Sequence, residues 1–311
     1  MEMQHFVNID SLRRDDICVG KGSRNRNDSA FWRGDTISIT EKIDGSNASL
    51  RYNPKTGELD TFSRKLPIYA DDEIPMVAFL NYAKTLNAAD YVDTPNYVIF
   101  GEWLRQHRII YRPECMLKWY VYSIYDTNIQ NWVTPDVVKE FCKTHNLEYV
   151  HELYYGPFIS WDHCMSFMNQ PFYGDAQEGV VVRNVSALER NDRSSHILKL
   201  VNDEYKETKD IQKIDPTKAA SYEHTLDLID FIVTKNRVEK IMLSLSEEGL
   251  IPENPSLVDI ALIKKYITSR VYRDCEKEEP EILYHCGKSA GNLCAGLTMK
   301  YVYDILKEKE T

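Results

Sequence analysis

A chain of 311 residues, 43% of them hydrophobic, is long enough for one large folded domain and a smaller one. Its formal charge of -10 excludes a protein that coats nucleic acid by bulk electrostatics, so any nucleic-acid contact must be local. No apolar run reaches about 18 residues and no charged-then-apolar leader is readable, so neither a membrane span nor a secretory signal is expected. The expected location is the cytoplasm, a host's if the source is viral. Seven scattered cysteines, never in a C-x-x-C pair, read as reduced thiols. His163-Cys164 and His285-Cys286 lack the second short-spaced pair that structural zinc needs.

In chain order, the first feature is a basic stretch of Arg13, Arg14, Lys21, Arg24, Arg26 and Arg33. Residues 36–41, 48–52 and 59–64 are rich in β-branched and aromatic side chains and read as strands. Asn53-Pro54-Lys55-Thr56-Gly57 is a hairpin turn by composition, so these early strands are expected to be antiparallel neighbours. A helix is expected over 71–86, and strands over 97–103 and 118–125. Between those two strands lies a second basic group, Arg105, His107, Arg108 and Arg112; on composition alone either group is a solvated face or a nucleic-acid contact. Helices follow at 134–145, where Thr134-Pro135 supplies an N-cap and a first-turn proline, and at 160–169, then strands at 179–183 and 196–201. Beyond a linker-like 209–218, apolar residues recur at helical spacing: Leu228, Phe231, Val238, Met242 and Leu245, then Leu257, Ile260, Ile263, Ile267 and Val271, then Leu297, Val302 and Ile305. This pattern predicts an α+β domain over 1–214 and a small all-α domain over 215–311.

Lys42 ends the first strand and opens the motif K-x-D-G with Asp44 and Gly45. Three fixed residues are weak evidence, and a lone surface lysine is the bland alternative. Further elements follow in fixed order, each at or within a predicted strand: Phe62-Ser63-Arg64, Gly101-Glu102-Trp103, Trp119-Tyr120-Val121-Tyr122, Glu178-Gly179-Val180-Val181, and Leu198-Lys199-Leu200-Val201. Order and spacing over about 36–206 resemble the covalent nucleotidyltransferase superfamily of ATP-dependent ligases and capping enzymes. Within it, Glu41-Lys42-Ile43, the Glu178 run and a helical C-terminal part look most like the bacteriophage RNA ligase 2 family, which seals nicks in double-stranded RNA.

The resemblance implies an antiparallel-sheet nucleotidyltransferase domain of ATP-grasp-like ligase type, with ATP as cosubstrate and magnesium or manganese as metal. It implies that Lys42 attacks the α-phosphate of ATP as a free amine, helped by a nearby cation. Lys199 would contact that phosphate, Glu102 the ribose, and Glu178 the metal through its water shell. The ring of Tyr122 would stack on adenine, and strand alternation puts Tyr122 and Tyr120 on one face, opposite Trp119. Glu41 would read the adenine edge. Arg64 would hold the nucleotide and then a 5′-phosphate, while Asp44 and Asn47 serve later steps. The implied partner is RNA with 5′-phosphate and 3′-hydroxyl ends, as a nicked duplex, bound by a monomer, with Arg33, Arg105, Arg108 and Arg112 as possible contacts. One departure stands out: where the family's last motif often has a second lysine, this chain has Val201. The competing readings are a DNA ligase, a GTP-dependent capping enzyme, or an inactive protein that binds nucleotide or RNA ends.

Overall fold

The computed structural model describes residues 10–12, 28, 30–64, 66–70, 72, 74–105, 107–189, 196–206, 222–286 and 290–309. The basic residues 13, 14, 21, 24 and 26, Cys18 and the linker-like 209–218 lie outside the described residues. Two compact units result: the described residues within 10–72 and 76–202, and those within 74–75 and 203–309. The six described cysteines are all free thiols.

The first unit is built from two sheets. Its strands are β1 (Asp10–Ser11), β2 (Thr36–Lys42), β3 (Ser46–Asn53), β4 (Glu58–Ser63), β5 (Tyr97–Leu104), β6 (Lys118–Asp126), β7 (Asn131–Trp132), β8 (Glu148–Tyr149), β9 (Glu152–Pro157), β10 (Gly179–Asn184) and β11 (Ile197–Val201). One sheet has the order β1-β11-β10-β2-β9 and the other β4-β3-β5-β6-β7, with β8 beside β6. Pairing is antiparallel except for β1 with β11 and β6 with β8. The hairpin at 53–57 is present between β3 and β4, with Gly57 at φ 72° where a side chain would be strained. One expectation is corrected: β2 is no neighbour of β3. The turn at Ile43-Asp44-Gly45 carries the chain from one sheet into the other, which the hairpin chemistry of 53–57 could not reveal.

Alternation gives the β2 sheet two unlike faces. Ile37, Ile39, Val180, Val182, Leu198 and Leu200 pack with Phe31, Phe158 and Trp161 into an apolar core. The opposite face carries Ser38, Thr40 and Arg183, all buried, and ends at Lys42. In the second sheet, Trp103 and Trp119 pack on Phe79 of α1 (Val77–Ala83), with ring centroids 5.8 and 5.3 Å apart. Gly101 lets Trp119 lie across β5, because a Cβ there would sit 2.5 Å from Trp119 Nε1.

Helices α2 (Pro135–Thr144), α3 (Trp161–Met165) and α4 (Val185–Glu189) complete this unit. Thr134 holds the N-cap position of α2, but its side chain makes no capping bond. The helices expected over 71–86 and 160–169 are shorter, α1 and α3, because apolar residues there continue into turns.

The second unit is helical: α5 (Tyr222–Ile232), α6 (Lys235–Glu247), α7 (Ile260–Glu278), α8 (Pro280–Cys286) and α9 (Ala290–Glu308). Leu228 to Leu245 does not form one helix. Thr234 takes an extended conformation and its hydroxyl accepts the Arg237 amide, starting a new helix where the apolar period runs on unbroken. Leu228, Phe231, Val238, Met242, Leu245, Ile263, Ile267, Val271, Val302 and Ile305 share one core. Among the described residues no helix is long and apolar enough to cross a membrane.

Candidate active site

Lys42 ends β2 opposite Gly179, which in turn lies opposite Val201. The next row on that face, two residues along, is Thr40, Val181 and Lys199, so Lys42, Lys199 and Val201 share one face. Glu178, immediately before β10, is 7% exposed, and its Oε2 accepts the Lys42 ammonium. A buried carboxylate is costly unless paired, and this pair answers the cost on both sides. Burial disfavours the ammonium, but the charge and hydrogen bond of Glu178 outweigh it, with Asp44 and Glu102 adding to the effect, so Lys42 is held above the ordinary lysine range. Without ATP or a metal ion, the strongest neighbour of Lys42 is thus an anion, which favours its ammonium form.

Asp44 stands on the other side of Lys42. Its amide donates to the Tyr111 hydroxyl at 2.6 Å, and its carboxylate accepts the Arg108 amide at 3.2 Å. His107 Nδ1 lies 3.7 Å and Arg108 Nε 3.6 Å from that carboxylate. Burial opposes its ionisation, yet His107, Arg108 and Lys42 together hold its pKa down to about 2. Arg108 also reaches Glu178, its Nη2 lying 3.8 Å from Oε1. Thus the segment after β5 delivers a cation between the two acids that flank Lys42.

In the second sheet, Glu102 lies opposite Asn47 on one side and Tyr120 on the other, which places all three on one face. Glu102 Oε1 accepts the Gly45 amide at 3.2 Å and fixes the turn after Lys42. The ladder passes from Gly101–Val121 to Phe100–Ser123, making Tyr122 the extra residue of a bulge. The Tyr122 hydroxyl accepts the Asn47 amide, so Tyr122 joins that same face while Trp119 packs on the other. Burial holds the Tyr122 hydroxyl well above its ordinary pKa, and Arg64 and Arg183 act on it in the opposite direction.

The RNA ligase family model matches residues 35–201. The chain belongs to the RNA ligase family. Its similarity to solved structures of RNA ligases is distant. An archaeal ATP-dependent RNA ligase is 12% identical, covering 98% of this chain and 67% of that one, at a TM-score of 0.48. Naegleria gruberi RNA ligase with PPi is 15% identical, covering 65% of this chain and 58% of that one, at 0.46. A mutant of that Naegleria enzyme with ATP and Mn is 16% identical with the same coverages, at 0.45. The chain thus spans 58% of the length of these Naegleria chains. No curated protein matches it.

Not every expected residue joins the Lys42 cluster. Alternation turns Glu41 away from Lys42; its Oε2 accepts the Phe172 amide at 2.8 Å, while Oε1 is buried with no hydrogen-bond partner among the described residues. Burial raises its pKa to about 7, an effect that the Phe172 amide and Arg112 offset only in part. Arg112 binds the Phe172 carbonyl and Glu114 at the exposed margin, and Arg105 follows β5 directly. Arg33 is exposed just before β2, at the end far from Lys42; seven residues of strand separate them by about 20 Å.

The sequence reading missed Tyr111 and the 172–174 segment. Tyr111 forms a bridge with Gly174, where a Cβ would stand 2.4 Å from the Ile110 carbonyl oxygen. An aromatic pair followed by glycine, Phe172-Tyr173-Gly174, was the available signal of close backbone approach. Arg183, buried beside Tyr122 and Tyr149, is a further charged group to which the sequence assigned no role.

Proposed function

We propose that this chain is an ATP-dependent RNA ligase that forms a lysyl-adenylate on Lys42, passes AMP to an RNA 5′-phosphate and joins that end to a 3′-hydroxyl. The supporting observation is the buried Lys42–Glu178 pair, flanked by Asp44 and Arg108 and sharing a sheet face with Lys199. ATP brings anionic phosphates to compete with Glu178 for Lys42. Released from that pair, Lys42 gives one proton to water, its Nζ bonds to the α-phosphorus, and the nitrogen sheds a second proton to water as the phosphoramidate forms. The bond from that phosphorus to the pyrophosphate oxygen breaks, and pyrophosphate leaves with the electrons. Lys199 steadies the α-phosphate from the next row on that face. The ring of Tyr122 stacks on adenine, Glu102 holds the ribose, and the unused oxygen of Glu41 reads the adenine edge. Arg64, Asp44 and Asn47 then serve the transfer to RNA and the sealing step.

Among the described residues no three His, Cys, Asp or Glu side chains cluster as a metal cage. Magnesium needs none, since it keeps several waters and takes one or two carboxylates with phosphate oxygens, a set that Glu178 fits. Such an ion, magnesium or manganese, would supply charge neutralisation at the reacting phosphates.

A nicked duplex, as sealed by the phage RNA ligase 2 group, is the proposed substrate, with the protein acting as a monomer. In support, the described part of residues 203–309 is helical, where a DNA ligase or capping enzyme would carry a β-barrel. The proposed roles are adenylation for 1–214 and duplex docking for 215–311. The test is incubation with magnesium and α-³²P-labelled ATP or GTP, beside Lys42→Ala. Label from ATP alone, absent in Lys42→Ala, is expected. Label from GTP would mean a capping enzyme, and none from either a binding protein.

A further inference from the structure

We propose that Arg108 binds the departing pyrophosphate, supplying from a loop the cation that the β11 strand end lacks. This rests on the lysyl-adenylate reading and names a further group within it.

Pyrophosphate leaves the α-phosphorus with the electron pair of the broken bond, so negative charge gathers on the side away from Lys42. Some cation must meet it there. The row across the Lys42 end of the sheet is Lys42, Gly179 and Val201: a nucleophile, no side chain, and an apolar side chain. Lys199 lies two rows further in on the same face, beside Val181 and Thr40. Beyond the row, Arg108 reaches both acids flanking Lys42, at 3.6 Å to Asp44 and 3.8 Å to Glu178. These are ion pairs without the short, parallel contacts of a locked arginine fork. The guanidinium side chain is 21% exposed, so it can trade a carboxylate for a phosphate without leaving its place. Its planar fork suits two oxygens of one phosphate.

Adenylated protein, freed of ATP, is titrated with inorganic pyrophosphate and magnesium, and regenerated labelled ATP is read. Arg108→Ala should raise both the half-saturating pyrophosphate concentration and the KM for ATP by about ten- to a hundredfold. Because Arg108 also holds Asp44, transfer of preformed adenylate to a 5′-phosphate RNA end should slow as well, but that step should not recover with Val201→Lys, whereas the pyrophosphate response should. Arg108→Lys, which keeps the charge facing Asp44 and Glu178, should fall between. Val201→Lys placed in the Arg108→Ala protein should recover part of the pyrophosphate response. Unchanged pyrophosphate dependence in both Arg108 variants, or equal loss in both steps with no recovery from Val201→Lys, would overturn the proposal. If the unaltered protein takes no label, the adenylate reading falls first. If it is labelled and reversed by pyrophosphate, that reading stands and the variants alone decide.

Discussion

The two units bury charge in different ways. In the helical unit Arg237 is 2% exposed, and its partners belong to the scaffold: the Ile232 carbonyl at 2.8 Å, Cys275 Sγ at 3.0 Å and Asp274 at 3.3 Å. In the sheet unit Lys42, Glu178, Asp44 and Arg108 are each other's partners, two of the contacts at 3.6 and 3.8 Å. The first arrangement holds an arginine against fixed carbonyl, thiol and carboxylate groups of the scaffold. The second is a set of mutual counter-ions, which on the proposed function an incoming phosphate or metal would replace. Mutual pairing, rather than burial alone, distinguishes the candidate site.

The contrast is sharpest at Glu178. Removing its charge with Glu178→Gln should slow Lys42 labelling by about a hundredfold or more, as loss of a preorganised charged group does elsewhere. Rapid-quench labelling checks this; a near-normal rate would reduce the pair to a structural one, like that of Arg237.

In the helical unit the largest effects should come from packing. Ile267 is fully buried among α6, α7 and α9, and Ile267→Ala should cost about 2–5 kcal/mol of stability. Denaturant unfolding reads the loss. Nick sealing should fall with it while Lys42 labelling persists, and equal loss of both would contradict the division of labour proposed for the two parts.

The smallest expected effect lies at Glu41. A carboxyl raised from 4.5 to about 7 favours the folded state in its neutral form, so its contribution is complete below about 4.5 and is lost as pH rises through 7. Glu41→Gln cannot ionise and should become more stable relative to the unaltered protein between pH 5 and 8, by on the order of 2 kcal/mol. Unfolding midpoints at the two pH values check it, and a parallel shift of both proteins would remove Glu41 as the cause.

Legibility in the sequence followed the range of the interactions. Seven strands were read within one or two residues of their ends, because Thr36–Lys42 or Lys118–Asp126 declares itself by local composition. β9, whose Glu152–Pro157 alternates poorly and contains glycine and proline, gave no such signal, and neither did the two-residue strands. For the site, motif order pointed to Lys42, Glu102, Glu178 and Lys199, but not to who pairs with whom. The Arg108 contacts with Asp44 and Glu178 join residues 64 and 70 positions apart, and no local period encodes them. The Lys42–Glu178 pair was out of reach for the same reason: Glu178 is 136 residues away in sequence and adjacent in space.

The pair between Lys42 and Glu178 also bears on the chemical hazards of carrying a nucleophile at all. An ammonium has no lone pair to offer, so a Lys42 held by Glu178 should react more slowly than a free amine with cyanate, acyl phosphates and other stray electrophiles. On the mechanism proposed above, the carboxylate that yields to ATP would also shield the side chain until a polyphosphate displaced it.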